Sequence, residues 1–279
     1  MRVLKQALLS FVALGSGSAV YAFAVEPRWL DVENIELAIP DLPDAFSGFR
    51  LVQASDIHMG GWMNRSRLRD VLAVVRKQRP DLVTMTGDFV FGHGWSQSLD
   101  IAAEDFISEA KLLTADLPTL GVLGNHDHWT DAEKVRAMLA ESGIVELRND
   151  VYPVRREEDR LYIAGVDDIW ENKARLDEVV AKLPLGGPAI LLAHEPDFAD
   201  ESAKVNRFCL QLSGHSHGGQ VVLPLVGPPI LPRFGRKYPS GLYKVGEMWQ
   251  YTNRGVGMIE PAIRFNCRPE ITVFTLKPA

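Results

Sequence analysis

Cysteine is scarce in these 279 residues: Cys209 and Cys267 are the full complement. Two thiols can build neither a zinc knuckle nor a disulfide framework. In "RFCLQL" and "FNCRPEITVF" they read as small hydrophobes buried in strands. A surplus of positive charge is missing too. Lys and Arg number 30 against 36 Asp and Glu, for a formal net charge of -6. That balance argues against a general nucleic-acid binder, which needs a basic face. There is no twin-arginine pair near the start, and no low-complexity linker or internal repeat follows Glu26. What remains is an ordinary globular composition, 46% hydrophobic and 24% charged, enough for one large domain or two small ones.

The first 25 residues differ from the rest. Arg2 and Lys5 precede the uncharged run "ALLSFVALGSGSAVYAFAV", which ends at Glu26. A positive start followed by an apolar stretch is the pattern of an export signal or a membrane anchor. Ala22 and Ala24 also fit an A-x-A cleavage site. The expected division is therefore a signal peptide or anchor over 1–25 and a single domain over 26–279. Positive residues ahead of the run predict a cytoplasmic N-terminus and a domain outside the cytoplasm.

After Glu26, short apolar runs alternate with amphipathic segments. "FRLVQASD", "DLVTMTGD", "TLGVLGN", "LYIAGVDD", "AILLAHE" and "FCLQLSGH" read as buried strands, each ending in a polar or glycine-bearing turn. "SRLRDVLAVVRKQ" places Leu68, Val71, Leu72 and Val75 on one helical face, with Pro80 as a stop. "DAEKVRAMLAES", opened by Thr130 or Asp131 as a cap, and "KARLDEVVAKL" read as helices as well. The tail, from "GLYKVGEMWQYTNRG" to "PEITVFTLK", reads as paired strands. The fold class is α/β, with helices covering a central sheet or a pair of sheets.

Chemistry gathers where these strands end. "SDIHMG", "TGDFV", "GNHD", "LLAHEP" and "SGHSHGG" carry Asp56, His58, Asp88, Asn125, His126, His194, His215 and His217. Of the seven histidines, only His93 and His128 fall outside these segments. A lone Asp after a strand is commonly a turn former, and a lone His on an apolar strand commonly a core residue. Five strand ends carrying such residues to one edge point instead to a site, because loops at the carboxyl ends of α/β strands converge. Gly87, Gly124 and Gly214 each precede a ligand candidate, where positive φ or close backbone approach would demand glycine.

The order D-x-H, G-D, G-N-H-D, H, G-H-x-H, from Asp56 to His217, resembles the calcineurin-like metallophosphoesterases. "GHSHGGQ", "NRGVG" and "RPEI" are similar to a bacterial membrane-associated branch that includes exported cell-envelope phosphodiesterases and UDP-2,3-diacylglucosamine hydrolases. The resemblance implies a four-layer α-β-β-α sandwich with a dimetal site at the carboxyl ends of its strands. It assigns Asp56, His58 and His217 to one metal, Asn125, His194 and His215 to the other, and Asp88 to a bridge between them. The cofactors would be two divalent ions, Mn, Fe or Zn, suited to oxygen and imidazole donors. Metal-bound hydroxide would attack phosphorus. His126 would give a proton to the leaving oxygen, oriented by Asp127 or Asp56.

The substrate implied is a phosphorylated small molecule or lipid such as UDP-2,3-diacylglucosamine of the lipid A pathway, met at an inner-membrane or envelope surface. No nucleic acid is expected, and no protein partner is inferred. The proline-rich "VVLPLVGPPILPRFGRKYPSGLY" reads as a lip touching an acyl chain or bilayer, with Arg233, Arg236 and Lys237 near phosphates. Trp62, Trp95 and Trp129 are pocket candidates, Asp167 and Asp168 candidate substrate or supporting contacts, and His128 a supporting or loop residue. Two other readings compete: a soluble phosphomonoesterase or protein phosphatase of the same superfamily, and a non-catalytic binding module on that fold.

Overall fold

Strand alternation sends neighbouring side chains to different layers. In the computed structural model, which describes residues 17–279, Leu51, Leu82 and Leu120 face one buried layer while Val52, Val83 and Met85 face another. Among the described residues, twelve strands form two six-stranded sheets. The first has the order β1 (Asp31–Ile39), β12 (Glu270–Pro278), β2 (Arg50–Ala54), β3 (Leu82–Thr86), β4 (Thr119–Val122), β5 (Val145–Glu146). The second has the order β10 (Gly241–Val245), β11 (Met248–Thr252), β9 (Leu210–Ser213), β8 (Ala189–Leu192), β7 (Asp159–Gly165), β6 (Asp150–Arg156). In the first, β2 to β5 run parallel, as do β1 and β12; in the second, β11, β9, β8 and β7 run parallel.

The sheets pack face to face through leucine and isoleucine. Leu51, Leu82 and Leu120 meet Ile163, Ile190, Leu192, Leu210 and Leu212. Outside the first sheet lie α1 (Arg65–Lys77), α2 (Gln97–Thr114) and α3 (Asn125–Glu141), which bury Leu68, Val71, Phe106, Ala110, Val135 and Leu139 against Val52 and Val83. Outside the second sheet, α4 (Leu176–Lys182) and its neighbours bury Val179 and Phe208 against Ala164 and Leu191. The arrangement is the four-layer α-β-β-α sandwich expected.

Local sequence explains most boundaries. Asn64 caps α1, its side chain accepting from Arg67 N at 3.1 Å, and the apolar face named above is the buried one. α3 begins earlier than its apolar pattern, at Asn125, and is interrupted by extended backbone at Asp131 (φ 179°, ψ 95°). The Asp131 carboxylate accepts from Lys134 N at 3.2 Å and restarts the helix, the capping role read for that position.

Two expectations need correction. The tail does not pair with itself throughout: β10 and β11 form a hairpin, but "PEITVFTLK" crosses to the first sheet between β1 and β2. Neither cysteine lies in a strand. Cys209 sits one residue before β9, and buried Cys267 lies in the loop before β12. Much of the N-terminal apolar run lies outside the described residues. Its end, Tyr21–Val25, is a π-helical turn packed on the domain, where Ala22 O accepts from Arg264 N at 3.0 Å. Buried Glu26 accepts backbone N–H groups of Asn266 and Cys267. No helix among the described residues is long and apolar enough to cross a membrane.

Candidate active site

β2, β3, β4, β8 and β9 end on one edge, and each delivers a polar residue within four positions of its last residue. The backbone there is unusual. Asp56 (φ 53°), His58 (φ 52°), Asp88 (φ 55°), His215 (φ 69°) and His217 (φ 51°) all lie in the left-handed region. Non-glycine residues adopt it at a cost of about 1–3 kcal/mol each, tolerated where the surroundings enforce it, and such outliers cluster at functional sites. His215 and His217 are therefore not on a strand, where residues two apart would share a face. A turn running into a 3-10 segment, His217–Gly219, brings both rings inward. Gly214 permits the approach: a Cβ there would overlap Ser55 Oγ and Asp56 Oδ2. A Cβ at Gly124 would likewise overlap Asp88 Oδ1.

Two donor groups result. Asp56, His58 and His217 form one; Asp88, His194 and His215 form the other, the donor atoms within each lying within 4.8 Å of one another. Asp88 Oδ2 lies 3.2 Å from His194 Nε2 and 3.6 Å from His58 Nε2, so one carboxylate oxygen faces both groups. Asp56 Oδ1 is 3.3 Å from His217 Nε2. Asn125 is buried at the start of α3, its Oδ1 without a hydrogen-bond partner.

The donors fit two cations. His194 Nδ1 faces Thr86 O at 2.6 Å and His215 Nε2 faces Arg233 O at 2.8 Å. Donating there fixes both tautomers and leaves His194 Nε2 and His215 Nδ1 as facing lone pairs, 3.2 Å apart. His58 Nε2 and His217 Nε2 are 3.0 Å apart. Lone pairs so close repel unless positive charge sits among them. Burial pushes His58 and His215 down to about 3 and His217 well below the ordinary histidine value, the neutral state a metal needs. Burial acts the same way on His194, but Asp88, Asp56 and Glu195 outweigh it and hold that ring well above its ordinary value, so positive charge is favoured at Nε2 and a metal ion binding there takes the place of a proton. Asp88 is the mirror case: burial raises it, yet His194 and His126 hold it well below the usual carboxylate range. Burial drives Asp56 up to about 7. The donors are oxygen and imidazole nitrogen, with no thiolate, which suits Mn, Fe or Zn.

His126 is placed by its backbone, whose N–H donates to Asp88 Oδ1 at 2.9 Å. Its ring stands edge-on to His58 at 4.9 Å and stacks near Phe91, with Nδ1 buried and unpartnered. Asp127 does not orient it, which corrects the role read from sequence. Asp127 Oδ1 accepts from Phe89 N (2.8 Å) and Val90 N (3.1 Å), and Oδ2 from Gly124 N (2.9 Å), so the carboxylate ties the β3 loop to the start of α3. Asp56 is equally committed, accepting from His215 N.

A cavity of about 670 Å³ opens over Asp88, Asn125, His126, His215 and His217. Trp129 lines it, as do Trp170 and His93, two aromatic residues that the strand-end reading passed over. Trp170 could have been found two residues past "GVDD", at another strand end on the same edge. Its N–H is held by buried Glu195 at 3.0 Å, and its ring meets His215 edge-on at 5.6 Å. The far wall is apolar, including Val221, Ile230, Pro232, Ile259 and Ile263.

Other expected contacts lie elsewhere. Arg233 stacks on Phe234, Lys237 Nζ pairs with Asp200 at 2.6 Å, and the Arg236 and Lys237 amides bond Asp197; none of the three lines the cavity. Trp62 packs under Arg67 and Trp95 bonds Asp100. Asp167 pairs with His128 and Arg136, a supporting role, and Asp168 accepts from Glu171 N.

Comparison with known proteins agrees with this geometry. The family description "Calcineurin-like phosphoesterase" matches residues 49–219. The chain is 33% identical to the metallophosphoesterase YkuE of Bacillus subtilis, over 97% of this chain and 94% of that one. It is 32% identical to the phosphodiesterase YaeI of Escherichia coli, covering 97% of each. A zebrafish (Danio rerio) transmembrane protein with a metallophosphoesterase domain shares 32% identity over 94% of this chain and 60% of its own length. Sandwich, donor groups and relatives converge on one conclusion: the chain belongs to the calcineurin-like phosphoesterase family and is a metal-dependent phosphoester hydrolase.

Proposed function

We propose that the protein hydrolyses a phosphodiester or pyrophosphate bond in a lipid-bearing substrate of the bacterial envelope. The observation that carries this reading is the cavity. Its floor holds the aspartate–histidine cluster, its far wall is apolar, and no Lys or Arg lines it among the described residues. Without side-chain cations, two charges on one terminal phosphate are poorly served, whereas a diester or disubstituted pyrophosphate, with one charge per phosphate and an apolar arm, suits both ends. Glu260 at the rim disfavours extra negative charge further. YaeI, similar over nearly the full length, carries the name phosphodiesterase.

In this reading Asp56, His58 and His217 hold one divalent ion, and Asn125, His194 and His215 the other, with Asp88 between them. Two such ions supply charge neutralisation for phosphoryl oxygens and activation of water at neutral pH. The chain does the rest. Thr86 O and Arg233 O fix the tautomers of His194 and His215, the His215 amide holds the Asp56 carboxylate, and Trp129 and Trp170 line the cavity with aromatic surface. His126, fixed through Asp88, gives its proton to the departing oxygen. Mn, Fe and Zn are the candidate ions. Residues 1–25 act as an export signal or as an anchor that attaches the catalytic body to the inner membrane.

The test compares wild type with Asp88→Asn on bis-p-nitrophenyl phosphate, p-nitrophenyl phosphate and UDP-2,3-diacylglucosamine, with metal content measured on protein purified without added metal. Two ions per chain, preference for the diester over the monoester and loss of turnover in Asp88→Asn are expected. A monoester preference would move the protein to the phosphomonoesterase reading, and absence of both metal and turnover would leave a binding module. Cleavage of UDP-2,3-diacylglucosamine would name that lipid as a substrate.

A further inference from the structure

The wall of the cavity continues outward into a loop that no folding requirement explains. Leu223 N donates to Gly227 O and Gly227 N to Leu223 O (3.0 and 2.9 Å), closing a tight hairpin with Pro224, Leu225 and Val226 at its tip. Leu225 is fully exposed, Val226 is 75% exposed, and Ile230, just beyond, is 79% exposed. Leu225 also has φ 67°, a left-handed conformation that a leucine adopts only at a steric cost. The chain thus holds a strained backbone in order to present apolar side chains to the outside.

The hairpin is joined to the N-terminal segment. Val222 N donates to Phe265 O at 2.8 Å, Phe265 N donates to Gln220 O at 2.9 Å, and the Phe265 ring meets Tyr21 edge-on at 6.4 Å. On that segment Val20 and Phe23 are exposed, and its sequence continues back toward Ala7 without a charged residue. Strained hairpin and exposed helical turn are therefore linked through Phe265, next to Val221 and Ile263 in the cavity wall. Exposed apolar patches of this kind mark an interaction surface.

We infer that the Leu223–Gly227 hairpin and the Val20–Phe23 face form one bilayer-docking surface that turns the cavity mouth toward the membrane. This deepens the proposed function and rests on it: an apolar arm could pass from bilayer to metal cluster along Ile230 and Val221 without crossing water. What commits the occupant to lipid is the sequence leading into the exposed Val20–Phe23 face, which carries no charged residue from Ala7 onward. Hydrophobic side chains dominate the surface, so docking needs no anionic headgroup.

The experiment uses the full chain and phosphatidylcholine vesicles with brominated acyl chains. A bimane fluorophore on Leu225→Cys reports the hairpin. One on Leu185→Cys reports a fully exposed leucine before β8, at the opposite end of that strand from His194. Bromine quenching of the first and not the second is expected, unchanged by salt. Equal quenching of both, or none at Leu225 while the chain sediments with vesicles, overturns the inference. So does a lipid-free signal at Leu225 that grows with protein concentration, which would make the surface a contact between copies. In the double variant Leu225→Asp/Val226→Asp, cleavage of a vesicle-embedded diester should fall about tenfold or more while bis-p-nitrophenyl phosphate turnover is unchanged; an equal rate on both contradicts it. Quenching without lipid cleavage keeps the docking surface and removes the substrate reading. Lipid cleavage without quenching does the opposite.

Discussion

Replacing Arg264 by Met should unsettle one half of the metal cluster from a distance. Arg264 is fully buried. Its Nη1 donates to Cys267 O (3.0 Å), and its Nη2 to Arg254 O (2.8 Å), Gly255 O (3.0 Å) and Gly257 O (2.8 Å). Gly255 O also accepts from Glu270 N at 3.1 Å, so methionine, which keeps the stem but not the fork, strands the other three carbonyls. A buried polar group left unpaired costs about 1–3 kcal/mol. Allowing for relaxation and water entry, a loss of about 3–5 kcal/mol is expected, as for one partner removed from a buried charged network. In a domain of this size that lowers the melting temperature by about 10 °C.

The damage should also be directional. The loop gripped by Arg264 donates Val256 N to Ser55 O (2.9 Å) and Gly257 N to Asp56 O (2.7 Å), so it braces the Asp56–His58–His217 group and not the other. Calorimetric melting and metal analysis of Arg264→Met test both parts. A melting point within about 2 °C of wild type, or equal weakening of both metals, would refute the reasoning.

Three further outcomes follow from other parts of the molecule. Gly214→Ala forces a Cβ onto Ser55 Oγ and Asp56 Oδ2, and kcat/KM should fall about 100-fold through displacement of Asp56; unaltered metal content and rate would show that the loop yields. His126→Ala should cost about 10²–10⁴-fold on a diester with an alkyl leaving group and far less with p-nitrophenolate, which needs no proton; equal losses would count against proton donation. Hydrogen bonds from Arg69 and Arg65 hold buried Glu109 down to about 2, against an ordinary 4.5. The folded value is the lower one, so this contribution is complete above pH 4.5 and is lost as pH falls through about 2. Both arginines are half-exposed, so about 1 kcal/mol is at stake. Glu109→Gln should flatten acid unfolding in that window, as followed by circular dichroism.

The strands were legible because each is a short apolar run with a polar or glycine-bearing end, and α1 because Leu68, Val71, Leu72 and Val75 recur at helical spacing. The donor set was legible for a related reason: parallel strands put their ends on one edge whatever their order in the sheet. Pairing between distant segments was not. Nothing in "PEITVFTLK" says that it will leave β11 and slot between β1 and β2, since an alternating strand fits either sheet. Asp127 misled for the opposite reason. Its neighbour in sequence is a histidine, but the first turn of α3 points its carboxylate at three backbone amides, a capping duty that adjacency alone does not reveal. Arg264 and Glu26 went unread because their partners are main-chain groups, which every sequence possesses.

One property of the metal cluster reaches beyond catalysis. Each donor group takes members from both sheets: Asp56, His58 and Asp88 from the first, His194, His215 and His217 from the second. All first-sheet donors precede the end of β5 at Glu146, and all second-sheet donors follow the start of β6 at Asp150. A chain cut between those strands would yield two fragments, neither holding a complete set for either ion. The seam is therefore a natural two-part assembly, in which recovered turnover would report that the halves have found each other, with the cations as rivets.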